Sequence, residues 1–162
     1  MFLSERKDQG MWALVIGILI IVAVSFMYII LPNLPTSTTD LRIGDGIFKA
    51  RIASNDNART AGLSGETSLA ADRALLMAFP TDGKWGIWMK DMKIPVDIVW
   101  LDSNKKVIYI IKNASPADST SVTYTPKSLA KYVIEFPAGT VDGKAINMGS
   151  VATFSINEGD VK

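Results

Sequence analysis

Three hydrophobic patterns follow one another along the chain. From Met11 to Leu31 it reads MWALVIGILIIVAVSFMYIIL, uncharged and interrupted only by Ser25. As a helix rising ~1.5 Å per residue this run spans roughly 32 Å, the thickness of a bilayer's hydrocarbon core. Trp12 and Tyr28 stand near its two ends, where amphipathic rings favour the membrane interface. From Pro32 to Asp45 the apolar pattern dissolves into two prolines and Thr36-Ser37-Thr38-Thr39, which reads as a polar linker. From Gly46 onward, short apolar runs of strand length alternate with turn residues.

Those runs predict the elements of one small domain. Ile47–Ala53 alternates partly and puts Lys49 and Arg51 on one face. Asn55 is placed to cap a short helix through Ala58–Ala61, closed by Gly62. Ala74–Phe79 is an apolar run ended by Pro80, and the turn Thr81–Lys84 leads to a strand around Ile87–Met89. Val96–Leu101 has the continuous apolarity of a strand buried on both faces, and Asp102–Lys105 turns it into Lys106–Ile111 as an antiparallel hairpin. Asn113–Thr125 is a long polar loop, Ser128–Ala130 one helical turn, Lys131–Phe136 a strand ended by Pro137, and Val151–Ile156 the last strand. Many short strands with brief helices predict a mainly β, β-rich α+β fold, a compact antiparallel barrel- or sandwich-like domain behind one transmembrane helix. The expected division is a cytoplasmic N-terminus 1–10, a membrane helix 11–31, a linker 32–45, the β domain 46–157 and a tail 158–162.

Charge and composition narrow the function. Seventeen basic and 16 acidic side chains give a net charge of +1 and lie interspersed, with no basic stripe for nucleic acid. Lys105-Lys106 reads as a solvated turn. Histidine and cysteine are absent, which excludes Ser-His-Asp and Cys-His catalysis, disulfides, and zinc sites of the usual kind. Acid–base chemistry is left to Asp, Glu, Lys or Tyr. The apolar run exceeds a signal-peptide core and ends at Pro32-Asn33-Leu34-Pro35, with no small-x-small cleavage site. It reads as a retained anchor in the bilayer. Arg6 and Lys7 precede it closely, whereas the first basic residue after it is Arg42. The positive-inside rule therefore predicts a single-pass protein of the plasma membrane, N-terminus inside and domain outside.

A series of short motifs adds a resemblance. Arg59-x-x-Gly62-Leu63, Leu75–Phe79, Trp88-Met89-Lys90, Ile94–Ile98, Tyr132–Glu135, Ala138-Gly139 and Gly149 occur in an order that resembles the family called domain of unknown function 192. The likeness runs from about Gly46 to Asn157 and is most specific from Trp88 to Asp102. It implies a largely antiparallel β domain, often exported or membrane-tethered, and no established activity. The family pattern usually has Lys-Asn-Thr where this chain has Lys90-Asp91-Met92, an aromatic where it has Ile87, and a basic residue near Gly65-Glu66.

Asp97 and Glu135 stand out as carboxylates inside apolar runs, because an unpaired buried carboxylate costs several kcal/mol. Asp97 is either held by Lys90 or a loop backbone, or used for binding or proton transfer. If Glu135 converges on it, the two form a glycosidase-like pair; if not, Glu135 faces water. Trp88, flanked by Lys90 and Asp91, is a platform for a saccharide or other ring, whereas Trp100 reads as core. Arg59 either pairs with a carboxylate or caps the surface. The expected ligand-binding set is Trp88, Lys90, Asp97, Arg59 and Glu135. No metal or cofactor site is expected: Gly44-Asp45-Gly46 lacks the helix of a phosphate cradle and Asp102-Ser103-Asn104 the length of a calcium loop. With no nucleophile-plus-base set in view, the leading reading is a non-catalytic module for a small polar ligand, a saccharide or envelope component. The rivals are a hydrolase using Asp97 and Glu135, and a structural partner of another membrane protein.

Overall fold

The computed structural model describes residues 12, 14–22, 24–25, 37–120 and 122–162. The chain divides into two compact units, Met1–Leu34 and Pro35–Lys162. In the first, residues 14–22 are helical, and Leu14, Ile16, Leu19 and Ile21 are all exposed. Among the described residues no helix is long and apolar enough to cross a membrane. Met11 and the last third of the expected span, residues 26–31, lie outside the described residues.

The second unit is built on an open six-stranded sheet in the order β1-β2-β3-β8-β5-β6. Its first strand, β1 (Thr38–Ile43), lies inside the segment expected to be linker. Thr39, Leu41 and Ile43 point inward and alternate with exposed residues, a period-2 signal that the flanking threonines and Asp40 hide in composition. Gly44 and Asp45 turn β1 back onto β2 (Gly46–Ala53), its antiparallel neighbour. Gly44 has φ +52°, and a Cβ there would stand 2.2 Å from the Lys144 carbonyl oxygen. Gly44→Ala is expected to cost about 2–3 kcal/mol, read as a lowered urea midpoint; an unchanged midpoint would show that the turn relaxes freely.

From β2 the chain crosses over through α1 (Asp56–Ala61) and returns in β3 (Arg73–Gly83), parallel to β2. The sheet is therefore mixed rather than wholly antiparallel. The caps of α1 are those the sequence predicts: Asn55 accepts from the Ala58 N–H at 2.9 Å, and Gly62 ends the helix at φ +51°. Strand β3 runs on past Pro80, with its pairing to β8 shifted between Ala78 and Gly83. A two-residue strand β4 (Ile87–Trp88) follows, then β5 (Val96–Leu101), buried throughout. The Asp102–Lys106 turn makes the expected hairpin with β6 (Val107–Ala114); Asp102 Oδ1 accepts from the Asn104 and Lys106 N–H groups. The long loop holds a 3-10 turn (Pro116–Thr120) and β7 (Thr123–Tyr124), which pairs with β4 as a separate ribbon. Strand β8 (Ala130–Pro137) then inserts between β3 and β5, and α2 (Thr140–Gly143) follows. No helical turn forms at Ser128–Ala130.

Two expectations are corrected at the sheet edges. Val151–Ile156 makes no strand; Val151 and Thr153 make isolated bridges to Lys106 and Arg42. The sheet is not closed into a barrel, since β1 and β6 remain edge strands and the C-terminal segment adds only isolated bridges at Arg42 and Lys106. The segment read as a tail, 158–162, packs back: the Tyr132 hydroxyl donates to Glu158 at 2.7 Å, and the Lys162 N–H to the Ser54 carbonyl at 2.8 Å.

Register decides which side of the sheet each residue serves. Leu76, Ile134 and Val99 form one row across β3, β8 and β5, on the face that packs Phe48 and Phe136 with rings 4.7 Å apart. The other face carries Ala53, Met77, Val133 and Trp100 in a row, and beside it Arg51, Leu75, Glu135 and Ile98. Trp100 is core, fully buried, with its indole N–H donating to the Trp85 carbonyl at 2.8 Å.

Candidate functional site

Asp97 and Glu135 are both buried, yet they are not neighbours in function. In the antiparallel β5–β8 pair Asp97 stands opposite Phe136 and Glu135 opposite Ile98. Opposed residues share a face and successive residues alternate, so the two carboxylates project to opposite sides of the sheet. The glycosidase-like pair does not form.

Asp97 is occupied. Its Oδ1 accepts from the Asn113 N–H and its Oδ2 from the Val141 N–H, both at 2.8 Å. Asn113 sits at φ +53° where the β5–β6 register slips by one residue, a bulge that turns its N–H toward Asp97. Val141 is in the first turn of α2, whose N-cap, Gly139, has no side chain to offer. Asp97 is thus a remote cap for α2 and a clamp on the bulge. The loop backbone, one of the two holders expected, therefore serves, and Lys90, the other, is exposed, its carbonyl accepting from the Ser64 hydroxyl at 2.8 Å.

Glu135 has no such anchor. It is 3% exposed, and its Oε2 has no hydrogen-bond partner among the described residues. Burial, resisted by Arg51 and reinforced by Glu66, pushes its pKa up to about 7. Arg51 is two strands away in the same row and is spent elsewhere: it pairs with Glu66 at 2.7 Å and donates to the Gly62 carbonyl at 3.0 Å.

Above Glu135 lies a cavity of about 240 Å³. Helix α1 and the loop after it supply Asp56, Arg59, Thr60, Leu63 and Ser64; β3 supplies Met77 and Phe79; β4 and its turn supply Ile87, Trp88 and Met92. Arg59 is held on three sides. It donates to the Ala78 carbonyl at 2.7 Å, to Asp56 at 2.6 Å and to the Lys162 carbonyl, and its guanidinium lies 5.0 Å from the Phe79 ring. Phe79 in turn stacks on Trp85 at 4.3 Å. Trp88 is 49% exposed at the rim. The ribbon wall is tight: a Cβ on Gly86 would come within 2.7 Å of the Thr123 methyl, so glycine lets β7 approach β4. Tyr124 of β7 donates to Asp118 at 2.6 Å, which pushes its phenol up to about 12.

Of the five residues expected to bind a ligand, the cavity gathers Trp88, Arg59 and Glu135 and leaves out Asp97 and Lys90. No sequence pattern marks Asp56, Thr60 or Ser64 as cavity residues, whereas Met77, Phe79 and Met92 lie in segments the family resemblance covers. Arg59-x-x-Gly62-Leu63 and the apolar run to Phe79 were visible as motifs, but their meeting depends on the β2–α1–β3 crossover. Among the described residues no cluster of Asp and Glu could hold a metal ion.

Residues 39–154 match the model of the domain of unknown function 192, whose description is "Uncharacterized ACR". The chain belongs to this family. A UPF0127 protein of Thermococcus gammatolerans is 29% identical over 89 residues, covering 54% of this chain and 55% of that protein, so the match spans about half its length. Two crystal structures share the fold of the domain. One is from Sinorhizobium meliloti 1021, provisionally assigned as a transcription regulator, with TM-score 0.69, 22% identity, and coverage of 73% of this chain and 94% of that one. The other is a protein of unknown function from Novosphingobium aromaticivorans, with TM-score 0.66, 19% identity, and coverage of 72% and 83%. The family's usual Asn at position 91 has a physical reading in this chain. Asp91 sits at φ +57°, a left-handed conformation that Asn and Asp tolerate best. Its carbonyl accepts from the Gly65 N–H at 2.9 Å, tying the turn after β4 to the loop that floors the cavity mouth.

Proposed function

We propose that this DUF192 domain is a non-catalytic binding module for a small ligand, held at the outer face of the plasma membrane by residues 11–31. The observation that carries the binding reading is Glu135: a buried carboxyl oxygen without a hydrogen-bond partner among the described residues, in a cavity with apolar and aromatic walls. A fold that has no use for such a group loses stability by keeping it, and a ligand donor would satisfy it. Benzene fills a cavity of roughly 150 Å³, so about ten non-hydrogen atoms suit this one. The tether is supported by the uncharged run Met11–Leu31 and its basic N-terminal flank. A non-catalytic role is supported by the lack of histidine and cysteine and by the separation of the two buried carboxylates.

The test is a fragment library of that size, screened against methyl-labelled full-length protein in detergent. Binders are expected to move the methyl signals of Met77, Met92, Leu63 and Ile87, and Trp88→Ala to weaken them about tenfold, the scale of one lost aromatic contact. Shifts scattered away from those methyls, or none, would remove the cavity from consideration.

A further inference from the structure

We infer that the cavity takes a small primary ammonium ion with a short apolar substituent, the charged head bonded to Glu135 and the substituent among the side chains of Met77, Met92 and Trp88. This rests on the cavity being the ligand site.

The sign of the ligand's charge follows from which groups remain uncommitted. Five charged side chains lie on or beside the cavity. Arg59 is paired with Asp56 at 2.6 Å and also satisfies two carbonyls. Arg51 is paired with Glu66 at 2.7 Å and bonded to the Gly62 carbonyl. Each pair sums to zero, so ionised Glu135 leaves one net negative charge. An anionic ligand would meet that carboxylate, and the one cation that lines the cavity, Arg59, is already paired. A neutral acceptor would find donors at the rim and wall, in Trp88 and Thr60, but would leave ionised Glu135 without one. An ammonium ion supplies three donors to an oxygen that has none, and an ion pair held away from water is stronger than the same pair in solvent. The walls fit as well. Trp88 is half exposed and offers a π face, whereas Phe79 is already engaged by Trp85 and Arg59. Thioethers are polarisable and adapt to a flexible chain.

Binding then releases a proton. The ammonium arrives charged, the Glu135 carboxyl gives its proton to solvent, and the carboxylate so formed pairs with the ammonium; charge and atoms balance. Few other groups that titrate near neutrality face Glu135. Around it, β2 contributes Arg51, the loop after α1 Glu66 and α1 the Asp56–Arg59 pair, while β3 and β5 present Leu75, Met77 and Ile98. The pH dependence should therefore be that of one carboxyl whose pKa is raised to about 7 by burial.

The experiment is calorimetric titration of the full-length protein with n-butylammonium, n-butanol and butyrate at pH 6 and pH 8, in buffers of different ionisation enthalpy. Wild type is expected to prefer butylammonium by tenfold or more over both others. It should release close to one proton per site at pH 6 and none at pH 8, and bind about tenfold more weakly per pH unit below 7. Glu135→Gln should lose both the preference and the proton release, with its fold checked by circular dichroism. Butyrate or butanol binding as well as butylammonium, or undiminished butylammonium binding by Glu135→Gln, would overturn the ammonium assignment while leaving the cavity a ligand site. Failure of all three probes, together with no fragment-induced shift at the cavity methyls, would overturn the site itself.

Discussion

Glu135→Gln is expected to be more stable than the wild type at pH 8, and the advantage to shrink by about 3 kcal/mol on going to pH 4.5. In the folded domain burial holds the Glu135 proton up to about pH 7, whereas the unfolded chain gives it up near the ordinary carboxyl value of 4.5. Between those values the folded state binds more protons, so wild-type stability falls as pH rises and levels off above 7. A gap of about 2.5 units corresponds to roughly 3 kcal/mol, and to about 10 °C in Tm for a domain of this size. Glutamine keeps the shape and removes the titration, and its own unsatisfied amide costs the same at every pH. Urea midpoints of the two proteins across this range measure the difference. Parallel curves would mean that Glu135 is ionised and paired in the folded protein.

The second large effect belongs to the other carboxylate. Asp97→Ala is expected to destabilise the domain by about 2–4 kcal/mol, because it strands the buried N–H of Val141 and the part-buried N–H of Asn113 at once. Asp97→Asn keeps one acceptor oxygen and turns an amide NH₂ toward the other donor, so its cost should be smaller but still above 1 kcal/mol. Chemical denaturation of the three proteins gives the order. Asp97 acts on the face away from the cavity, so ligand affinity of the folded variants should match the wild type. A stable Asp97→Ala that no longer binds would make Asp97 a ligand residue and undo its assignment as a cap.

These two predictions separate carboxylates that look alike in sequence. Each interrupts an apolar strand, and each was recognisable as costly to bury. Their different fates depend on partners remote in sequence: Asn113 and Val141 lie 16 and 44 residues from Asp97. Lys90, near in sequence and opposite in charge, plays no part in holding it. Of the two holders the sequence offered, Lys90 or a loop backbone, it is the backbone that serves, because a bulge and a helix N-terminus supply two N–H donors in place.

Much of the domain follows from local pattern. The alternation of β2, the continuous apolarity of β5 and β8, the β5–β6 turn, and the caps Asn55 and Gly62 all rest on spacing and on residues with strong conformational preferences, and all are present. Family membership rested on the order of the short motifs. What the tertiary structure decided is everything that needs a register or a distant neighbour. Strand β1 was hidden because its inward residues are few and its flanks polar, so only pairing with β2 reveals it. The last apolar run became isolated bridges because the open sheet offers it two separate edges. The cavity joins Arg59, Phe79, Trp88 and Glu135 from four elements. A one-residue step along β8 reverses the face that a side chain serves, so the sequence could mark Glu135 as buried, and only the pairing with Ile98 could put it beneath the cavity.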